Sequence, residues 1–347
     1  MRNWVATGAG RANSTVVWLA VAIGVLTFVV VVLPGIVVKG PYGRATSGST
    51  GESALQLGSE SAFAVPVYIT GEKRIETVPL ETYVRNVVAA EMPAEFELEA
   101  LKAQALAVRT YIVKRWLDQD TSHVPVPGAL VTDTTAHQVY ADEDQMKRQW
   151  GDKYAAYLEK LNRAVNETKD LILTYRHEPI QAAFFSTSNG YTENSEDYWQ
   201  VYVPYLRSVP SPWDKTLSPK YKETVVFSLI RFASLIGIPA SVPAREGNAF
   251  MQVLDTTEGH RIKTIRVAGK TMTGREMREK LNLNSSQFEW NVVGPNIEFT
   301  TYGYGHGVGM SQWGANGMAK EGKDAASIVK HYYQGIEIER VSALVRP

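Results

Sequence analysis

One glutamate stands at a position where a helix would bury it, and a buried carboxyl group can act as a general acid. In the segment 78–93, VPLETYVRNVVAAEMP, apolar residues recur at the three-and-four spacing of one helical face, from Leu80 to Val88. Glu91 follows Leu80 by eleven residues, which places it about 20° from Leu80 around a helix of about 3.6 residues per turn. Pro93 cannot continue such a helix, so Glu91 is expected in its last turn.

This position would alter the acidity of Glu91. Burial disfavours the charged carboxylate, and the negative end of the helix dipole disfavours it again, so both raise the pKa. A glutamic acid that stays protonated near neutral pH can protonate the leaving oxygen of a glycoside. The alternative is a structural glutamate that is solvated at the helix end or paired with Lys102 or Arg109. The pattern alone leaves both interpretations open.

A second helix is predicted from Glu97 to Trp116, after the turn at Pro93. Lys102 and Arg109 are seven residues apart and lie along one edge of its apolar stripe. If the two helices pack as a hairpin, we expect these cations to point toward a cleft that contains Glu91 and to contact substrate there. The alternative is the ordinary charged edge of an amphipathic helix.

Composition and charge exclude several classes of function. The chain has 347 residues, 36 basic and 36 acidic, and no cysteine. The first 44 residues contain four basic residues and no acid, so the remainder is slightly acidic and lacks the basic footprint of a nucleic-acid-binding protein. The absence of cysteine excludes disulfides, thiolate metal sites and a cysteine nucleophile. His123 and His137 do not form an HExxH or comparable ligand spacing, and we expect neither a metal nor a cofactor.

The chain is divided by composition into an apolar run, a polar stalk and a globular part. Residues 16–38 are nearly continuous apolar sequence, long enough for a transmembrane anchor; residues 1–15 precede it as a short N-terminus. Residues 39–62 are rich in Gly, Ser and Thr and are predicted to be a flexible stalk. Residues 63–347 are predicted to be a two-part α+β body with a substrate cleft, including a smaller α+β insertion at about 221–283. Residues 142–170 are predicted to form one long polar helix, and Thr273 begins a capping box.

Two loops could meet a ligand. The first, STSNGYTENSEDYW (186–199), concentrates hydroxyls, amides and aromatic rings, which suit sugar hydroxyls and sugar faces but also occur in ordinary turns. In the second, Gly303, Gly305, Gly307 and Gly309 alternate before a helix that begins near residue 311. The G-x-G-x-x-G fingerprint is not matched, so nucleotide binding is disfavoured. Alternating glycines instead allow close approach of the backbone to a ligand or another segment, with His306 and Gln312 projecting from it.

Several blocks, in a fixed order from residue 78 to the C-terminus, give the chain a specific resemblance. They are VPLETYVRNVVAAEMP, EALKAQALAVRTYIVKR, DTTAHQVY, FFSTSNGYTENSEDYW, VPYLRSVPSPWD, GYGHGVGMSQWGANGMAKEG and IVKHYY. Together they resemble the stage II sporulation protein D family of peptidoglycan lytic transglycosylases, with its amidase-enhancer relatives. The glutamate of the family's E-M-P motif falls on Glu91, the residue that the helical pattern had indicated independently.

The resemblance implies an enzyme that cleaves glycan strands between N-acetylmuramic acid and N-acetylglucosamine and leaves a 1,6-anhydro end without using water. Glu91 would first donate a proton and then accept one. We expect Lys102 and Arg109 to orient the substrate or tune Glu91, and His306 and Gln312 to close the other wall of the cleft. Sugar contacts are expected from the first loop, namely from Ser186, Ser188, Asn189 and Tyr191. Some relatives hold a structural zinc on histidine and cysteine, a site that cannot form here without cysteine.

The resemblance also implies partners and a location. The expected substrate is peptidoglycan freed of stem peptides by a partner cell-wall amidase, during engulfment in an endospore-forming bacterium. The globular part would lie outside the cytoplasm, with residues 1–15 inside. No second catalytic carboxylate is evident, although Glu95, Asp133 and Glu193 are possible partners. The main alternative is a peptidoglycan-binding activator of the amidase without turnover of its own; a purely structural scaffold would leave the glutamate and histidine motifs unexplained.

Overall fold

The computed structural model describes residues 63–344 and contains a mixture of helices and sheets, which confirms the α+β class. The predicted N-terminal segment, the transmembrane anchor and the stalk lie outside the described residues. Between residues 63 and 344, no helix combines the length and apolarity needed to cross a membrane.

Two hydrophobic cores organise the described residues. The first core is built from residues between Phe63 and Leu206 and from residues between Val308 and Val341. The second is built from residues between Leu229 and Phe299. The chain therefore leaves the first core, forms the second, and returns through the glycine-rich loop.

The elements that precede the second core follow one another in short units. They are β1 (Ala64–Ile69), β2 (Arg74–Pro79), α1 (Leu80–Glu91), α2 (Leu98–Leu117), β3 (Val131–Thr132), α3 (Glu143–Trp150), α4 (Tyr154–Glu167), β4 (Leu171–Tyr175), β5 (Glu178–Pro179), β6 (Phe184–Phe185), α5 (Ser195–Trp199) and α6 (Asp214–Leu217). Strand β1 pairs with β2 antiparallel and with β3 parallel.

The second core is enclosed by two three-stranded sheets. Its elements are β7 (Lys222–Ser228), α7 (Leu229–Ile236), α8 (Ser241–Glu246), β8 (Met251–Thr256), β9 (Ile262–Val267), β10 (Lys270–Thr273), α9 (Gly274–Leu281), β11 (Phe288–Val293) and β12 (Asn296–Tyr302). The sheet orders are β10-β9-β8 and β11-β12-β7. The capping box at Thr273 is confirmed, with reciprocal hydrogen bonds to Glu276. Strands β11 and β12 follow residue 283, so this core uses more chain than the predicted insertion.

The returning segment completes the first core. It contains β13 (Met310–Ser311), α10 (Gln312–Lys320), α11 (Ala325–Tyr332), β14 (Glu337–Arg340) and α12 (Val341–Leu344). Strand β13 pairs with β6, and β14 pairs with β4. Because β6 pairs with β13, it does not extend the hairpin of β4 and β5.

Helix α1 forms as the sequence predicts. Its apolar face is buried, with Tyr83, Val84 and Val87 fully inaccessible, and each such side chain contributes about 1.5–3 kcal/mol by leaving water. The helix ends at Glu91, and Met92 is extended with φ −122° and ψ 144°, as expected for a residue before proline.

The long polar helix predicted over residues 142–170 is wrong. Two helices, α3 and α4, occupy that range, and a single turn of 3₁₀ helix at Gly151–Lys153 separates them. Gly151 has φ +52° and ψ −126°, a conformation that breaks an α-helix and that glycine adopts without a side-chain clash.

Candidate functional site

Glu91 lies at the carboxyl end of α1 and is mostly enclosed by protein. Its Oε1 accepts a 2.9 Å hydrogen bond from the backbone N–H of Val139. Burial raises the pKa of Glu91, and the hydrogen bond from Val139 and the nearby Gln312 amide partly oppose that rise. Burial therefore favours the protonated form of the carboxyl group, while the Val139 N–H and the Gln312 amide would stabilise the ionised form.

Gln312 reaches Glu91 because α10 packs against the turn that follows α1. Asn316, one turn further along α10, accepts a 2.8 Å hydrogen bond from the backbone N–H of Glu97, and the rings of Phe96 and Trp313 meet edge to face at 4.7 Å. Gln312 is only 5% exposed, and its Nε2 has no hydrogen-bond partner among the described residues. A buried amide without a partner beside a carboxyl group can donate to that carboxylate or to a ligand.

A buried aspartate that the sequence analysis did not single out holds this region together. Asp214 is fully buried and accepts hydrogen bonds from the Ser188 backbone N–H at 2.7 Å, the Ser211 hydroxyl at 2.8 Å and the Ser311 hydroxyl. Ser311 is also the N-cap of α10. Asp214 thus links the first loop to the helix that begins with Gln312. Its sequence signal is its place at the end of the block VPYLRSVPSPWD, residues 203–214.

His306 is held inside a set of aromatic rings. The rings of Phe185, Tyr198 and Trp199 lie 5.6–5.7 Å from it, centre to centre. Part of its surface is accessible, yet protein surrounds most of the ring, and this burial, with Arg278 next in effect, lowers the pKa of His306 to about 3. Its Nδ1 accepts a 3.1 Å hydrogen bond from the Val308 N–H, so the neutral imidazole has its proton on Nε2. His306 can therefore donate a hydrogen bond but is uncharged near neutral pH.

Two glycines fix the path of this loop. Gly307 has φ +89°, and a Cβ there would lie 2.4 Å from the guanidinium carbon of Arg261. Gly309 has φ +80°, and a Cβ there would lie 2.1 Å from the carbonyl oxygen of Ala183. The predicted close approach therefore occurs against other segments of the protein.

The four residues predicted to hold sugars from the first loop occupy different environments. Ser188 is fully buried, and its hydroxyl donates to the Ser211 carbonyl at 2.8 Å. The Asn189 amide donates to the Gly259 carbonyl at 2.7 Å and so joins the two cores. Ser186 is partly exposed, and its carbonyl accepts from the Trp313 N–H at 3.1 Å beside the start of α10. Tyr191 is exposed. Sugar contacts by these residues stay a prediction, and Ser186 and Tyr191 are the accessible pair.

Lys102 and Arg109 pair with acids other than Glu91. Lys102 forms ion pairs with Glu99 at 2.7 Å and with Glu167. Arg109 is fully buried, and its Nη2 lies 2.6 Å from Glu81 at the first turn of α1. Glu81 and Glu91 are ten residues apart, about 15 Å along a helix. The expectation that Arg109 points toward Glu91 is therefore not met, since its charge is satisfied at the opposite end of α1.

None of the three candidate second carboxylates forms a hydrogen bond with Glu91. Glu95 accepts from the Tyr157 hydroxyl at 2.6 Å, and Asp133 accepts from the Thr70 hydroxyl at 2.8 Å. Glu193 is buried with Arg261, and burial raises its pKa. In the part of the chain that the structure describes, no group of three His, Asp or Glu side chains is placed to hold a metal ion.

Comparison with known proteins identifies relatives along most of the chain. A family profile described as "Stage II sporulation protein" matches residues 68–175, which include Glu91. Two proteins named "Stage II sporulation protein D" are each 50% identical to this chain, one from Bacillus subtilis (strain 168) over 285 residues and one from Bacillus amyloliquefaciens over 286 residues. Each alignment covers 82% of this chain and 81% of the relative. The chain belongs to the stage II sporulation protein D family.

Membership in this family confirms the resemblance drawn from the sequence blocks. A more distant relative is named "Amidase enhancer", from Bacillus subtilis (strain 168); it is 31% identical over 302 residues, which cover 73% of this chain and 39% of that protein. The chain is thus grouped with proteins named for sporulation, and one more distant relative is named as an amidase enhancer.

Proposed function

We propose that this protein is a lytic transglycosylase that cleaves peptidoglycan strands between N-acetylmuramic acid and N-acetylglucosamine, with Glu91 as both acid and base. The observation that supports this most strongly is the environment of Glu91. Its carboxyl group is enclosed at a helix C-terminus, its pKa is raised by burial, and amide donors from Val139 and Gln312 lie beside it.

The proposed reaction needs one carboxyl group in two states. Protonated Glu91 gives its proton to the glycosidic oxygen as the C1–O bond of the muramic acid residue breaks. The resulting carboxylate then takes the proton from the 6-hydroxyl of the same residue, while O6 forms a bond to C1. Glu91 ends protonated, and the products are a strand with a new 4-hydroxyl and a strand with a 1,6-anhydro end.

The surroundings of Glu91 suit this exchange of a proton. A purely apolar pocket would keep the carboxyl group protonated, whereas a charged partner such as arginine would keep it ionised. Glu91 instead has neutral amide donors, which stabilise the carboxylate without fixing it in one state. Hydrolases that retain or invert configuration generally use two carboxyl groups, and no second one is hydrogen-bonded to Glu91 within residues 63–344.

We also propose a location and partners for this protein. Residues 16–38 would anchor the protein in the membrane, with the globular part outside the cytoplasm at the sporulation septum. There it would act on strands from which a cell-wall amidase has removed the stem peptides, during septal peptidoglycan remodelling and engulfment. Membership in a family of sporulation proteins supports this setting, and the amidase enhancer relative supports an association with an amidase.

A second candidate function is activation of a cell-wall amidase without turnover of glycan. The observation that favours it is the relative named "Amidase enhancer", at 31% identity. Such an activator would bind glycan at the same site but would not need the acidity of Glu91. The effect of Glu91→Gln therefore separates the two functions.

Incubation of the full chain, in mild detergent, with amidase-stripped glycan strands tests the proposal. We expect anhydro-ended fragments from the wild type and none from Glu91→Gln, whereas Glu159→Gln, a control at an exposed carboxylate of α4, remains active. Intact glycan with both proteins, together with stimulation of an added amidase, would contradict turnover and support the activator function.

A further inference from the structure

Arg278, on α9, is a guanidinium held by two neutral acceptors. Its Nε donates to the Asn284 carbonyl at 3.2 Å, and its Nη1 donates to the Tyr198 hydroxyl at 3.1 Å. Both acceptors are neutral, and no carboxylate within residues 63–344 forms an ion pair with Arg278. Its side chain is partly exposed. An arginine held in place by neutral groups is preorganised to receive an anion.

The other cations near Arg278 already have partners. Arg261 pairs with Glu193 at 3.3 Å, and two further pairs complete the set: Arg275 with Glu279 at 2.7 Å and Lys263 with Asp197 at 3.0 Å. Arg261 is 1% exposed, and its Nε and Nη2 have no partners among the described residues. Of these four cations, Arg278 is therefore the one that pairs with no carboxylate within residues 63–344, and its side chain is partly exposed.

Arg278 faces an aromatic surface with a neutral donor. Tyr198, which accepts its hydrogen bond, lies 5.6 Å from His306, and Trp199 lies 5.6 Å from the same imidazole. Tyr198 therefore contacts both Arg278 and His306. Aromatic rings beside polar donors are typical of sites that orient a small polar ligand. Here the ligand would present an anion to Arg278 and a carbon framework to the rings.

This region continues into the proposed catalytic centre. His306 and Gln312 belong to one short segment that ends at α10, and β13 within it pairs with β6, which contains Phe185. The Trp313 N–H donates to the Ser186 carbonyl at 3.1 Å, and the ring of the neighbouring Phe185 lies 5.7 Å from His306. A glycan strand that contacts Glu91 near Gln312 would extend along these contacts toward His306 and Arg278. The anion would then belong to the strand itself.

We propose that Arg278 binds the free lactyl carboxylate of muramic acid and so selects strands that lack stem peptides. This inference rests on the proposed function, because it takes glycan as the ligand. When the peptide is present, the lactyl group is a neutral amide with a bulky substituent; after its removal, the group is a carboxylate. An arginine with two nitrogens held and a third accessible pairs with the carboxylate and gains little from the amide.

The test compares two forms of one substrate: peptide-free glycan strands, and the same strands with the lactyl carboxylates converted to methyl esters. For Arg278→Met in the full chain, we expect kcat/KM on the carboxylate strands to fall roughly 10- to 100-fold, the range for a lost hydrogen bond to a charged group, and little change on the ester strands. Arg278→Lys retains the charge and should recover part of the loss. Arg266→Met, at an exposed cation that contacts Gln252, is the control for net charge.

Binding separates a failure of this inference from a failure of the proposed function. Cosedimentation of Glu91→Gln and of Glu91→Gln/Arg278→Met with both strand types needs no cleavage. Tighter binding of carboxylate strands that disappears with Arg278→Met supports the inference even if the wild type does not cut glycan. Equal effects of Arg278→Met on carboxylate and ester strands, or no effect on either, would overturn it.

Discussion

The backbone N–H of Val139 lies 2.9 Å from Oε1 of Glu91, and it is a neutral donor to a carboxyl group whose pKa burial raises. The two effects act in opposite directions on the same proton. Because neither an arginine nor a lysine of the described residues pairs with Glu91, small changes in its neutral neighbours should change its acidity. This relationship makes the acidity of Glu91 open to direct test.

The Gln312 side chain should set the upper pH limit of activity. Glu91 must be protonated to begin the proposed reaction, so the alkaline limb of kcat/KM reports its pKa. Gln312 lowers that pKa; Gln312→Leu should therefore raise it and move the alkaline limb to higher pH, with a lower maximal rate. Gln252→Leu, at an exposed glutamine of β8, should leave the profile unchanged. A limb that stays in place or moves to lower pH would contradict this assignment.

Glu91 should also reduce the stability of the protein at neutral pH. A carboxyl group with a raised pKa in the folded state binds more protons folded than unfolded, so stability falls as pH rises from the unfolded pKa through the folded one. Glu91→Gln removes this pH-dependent loss of stability and keeps a side-chain oxygen that can accept the hydrogen bond from the Val139 N–H. Its melting temperature should exceed that of the wild type near about pH 7, and the difference should vanish toward about pH 4, below the ordinary pKa of glutamate.

Calorimetry of both proteins across that pH range measures the difference. A destabilised Glu91→Gln at neutral pH would mean that the carboxylate is favoured by the fold. That result would exclude a raised pKa for Glu91, and so the protonated carboxyl group that the first step needs.

The pair of Arg109 and Glu81 should support stability instead of substrate binding. Arg109 is fully buried, and Glu81→Gln would leave its charge without a partner, at a cost of about 3–5 kcal/mol. Glu72→Gln, which removes an exposed partner of Arg74, should cost under about 1 kcal/mol. Urea denaturation gives both values. A stable Glu81→Gln variant with a raised KM for glycan would instead place Arg109 in the substrate site.

The close approach of Gly307 to Arg261 predicts a specific loss of stability. Gly307→Ala faces both a positive φ and a contact of 2.4 Å with the guanidinium carbon. Gly294→Ala has a positive φ of +56° and open space around it, so it measures the backbone cost alone, about 1–2 kcal/mol. Gly307→Ala should lose about 1–3 kcal/mol more, as in an overpacked core. Equal losses in urea denaturation would mean that the Arg261 side chain moves away freely.

Local patterns in the sequence predicted the elements that depend on local physics. The apolar period of α1 and the proline that ends it located Glu91 at a helix terminus, and the capping box at Thr273 marked the start of α9. Partner choice was not local. The spacing of Lys102 and Arg109 put both on one helical edge, but Arg109 pairs with Glu81, and Lys102 pairs with Glu167 as well as with Glu99 of its own helix.

The rest of the candidate site is formed by segments that are far apart in the chain. Tyr198 and Arg278 are eighty residues apart and meet only because the second core lies beside the first loop. Asp214 joins Ser188, 26 residues before it, to Ser311, 97 residues after it. No periodic pattern in the sequence predicts either arrangement. The break at Gly151 was missed for a different reason, since a single glycine in a polar helical pattern is often tolerated.

In the proposed reaction, one carboxyl group breaks the glycosidic bond without water. The most direct test of this reaction is digestion of peptide-free glycan by the full chain in H₂¹⁸O, with the products analysed by mass spectrometry. We expect anhydro-ended fragments that contain no ¹⁸O and that are absent with Glu91→Gln. Reducing ends labelled with ¹⁸O would contradict it, because water would then be the nucleophile and a second carboxylate would be needed to activate it.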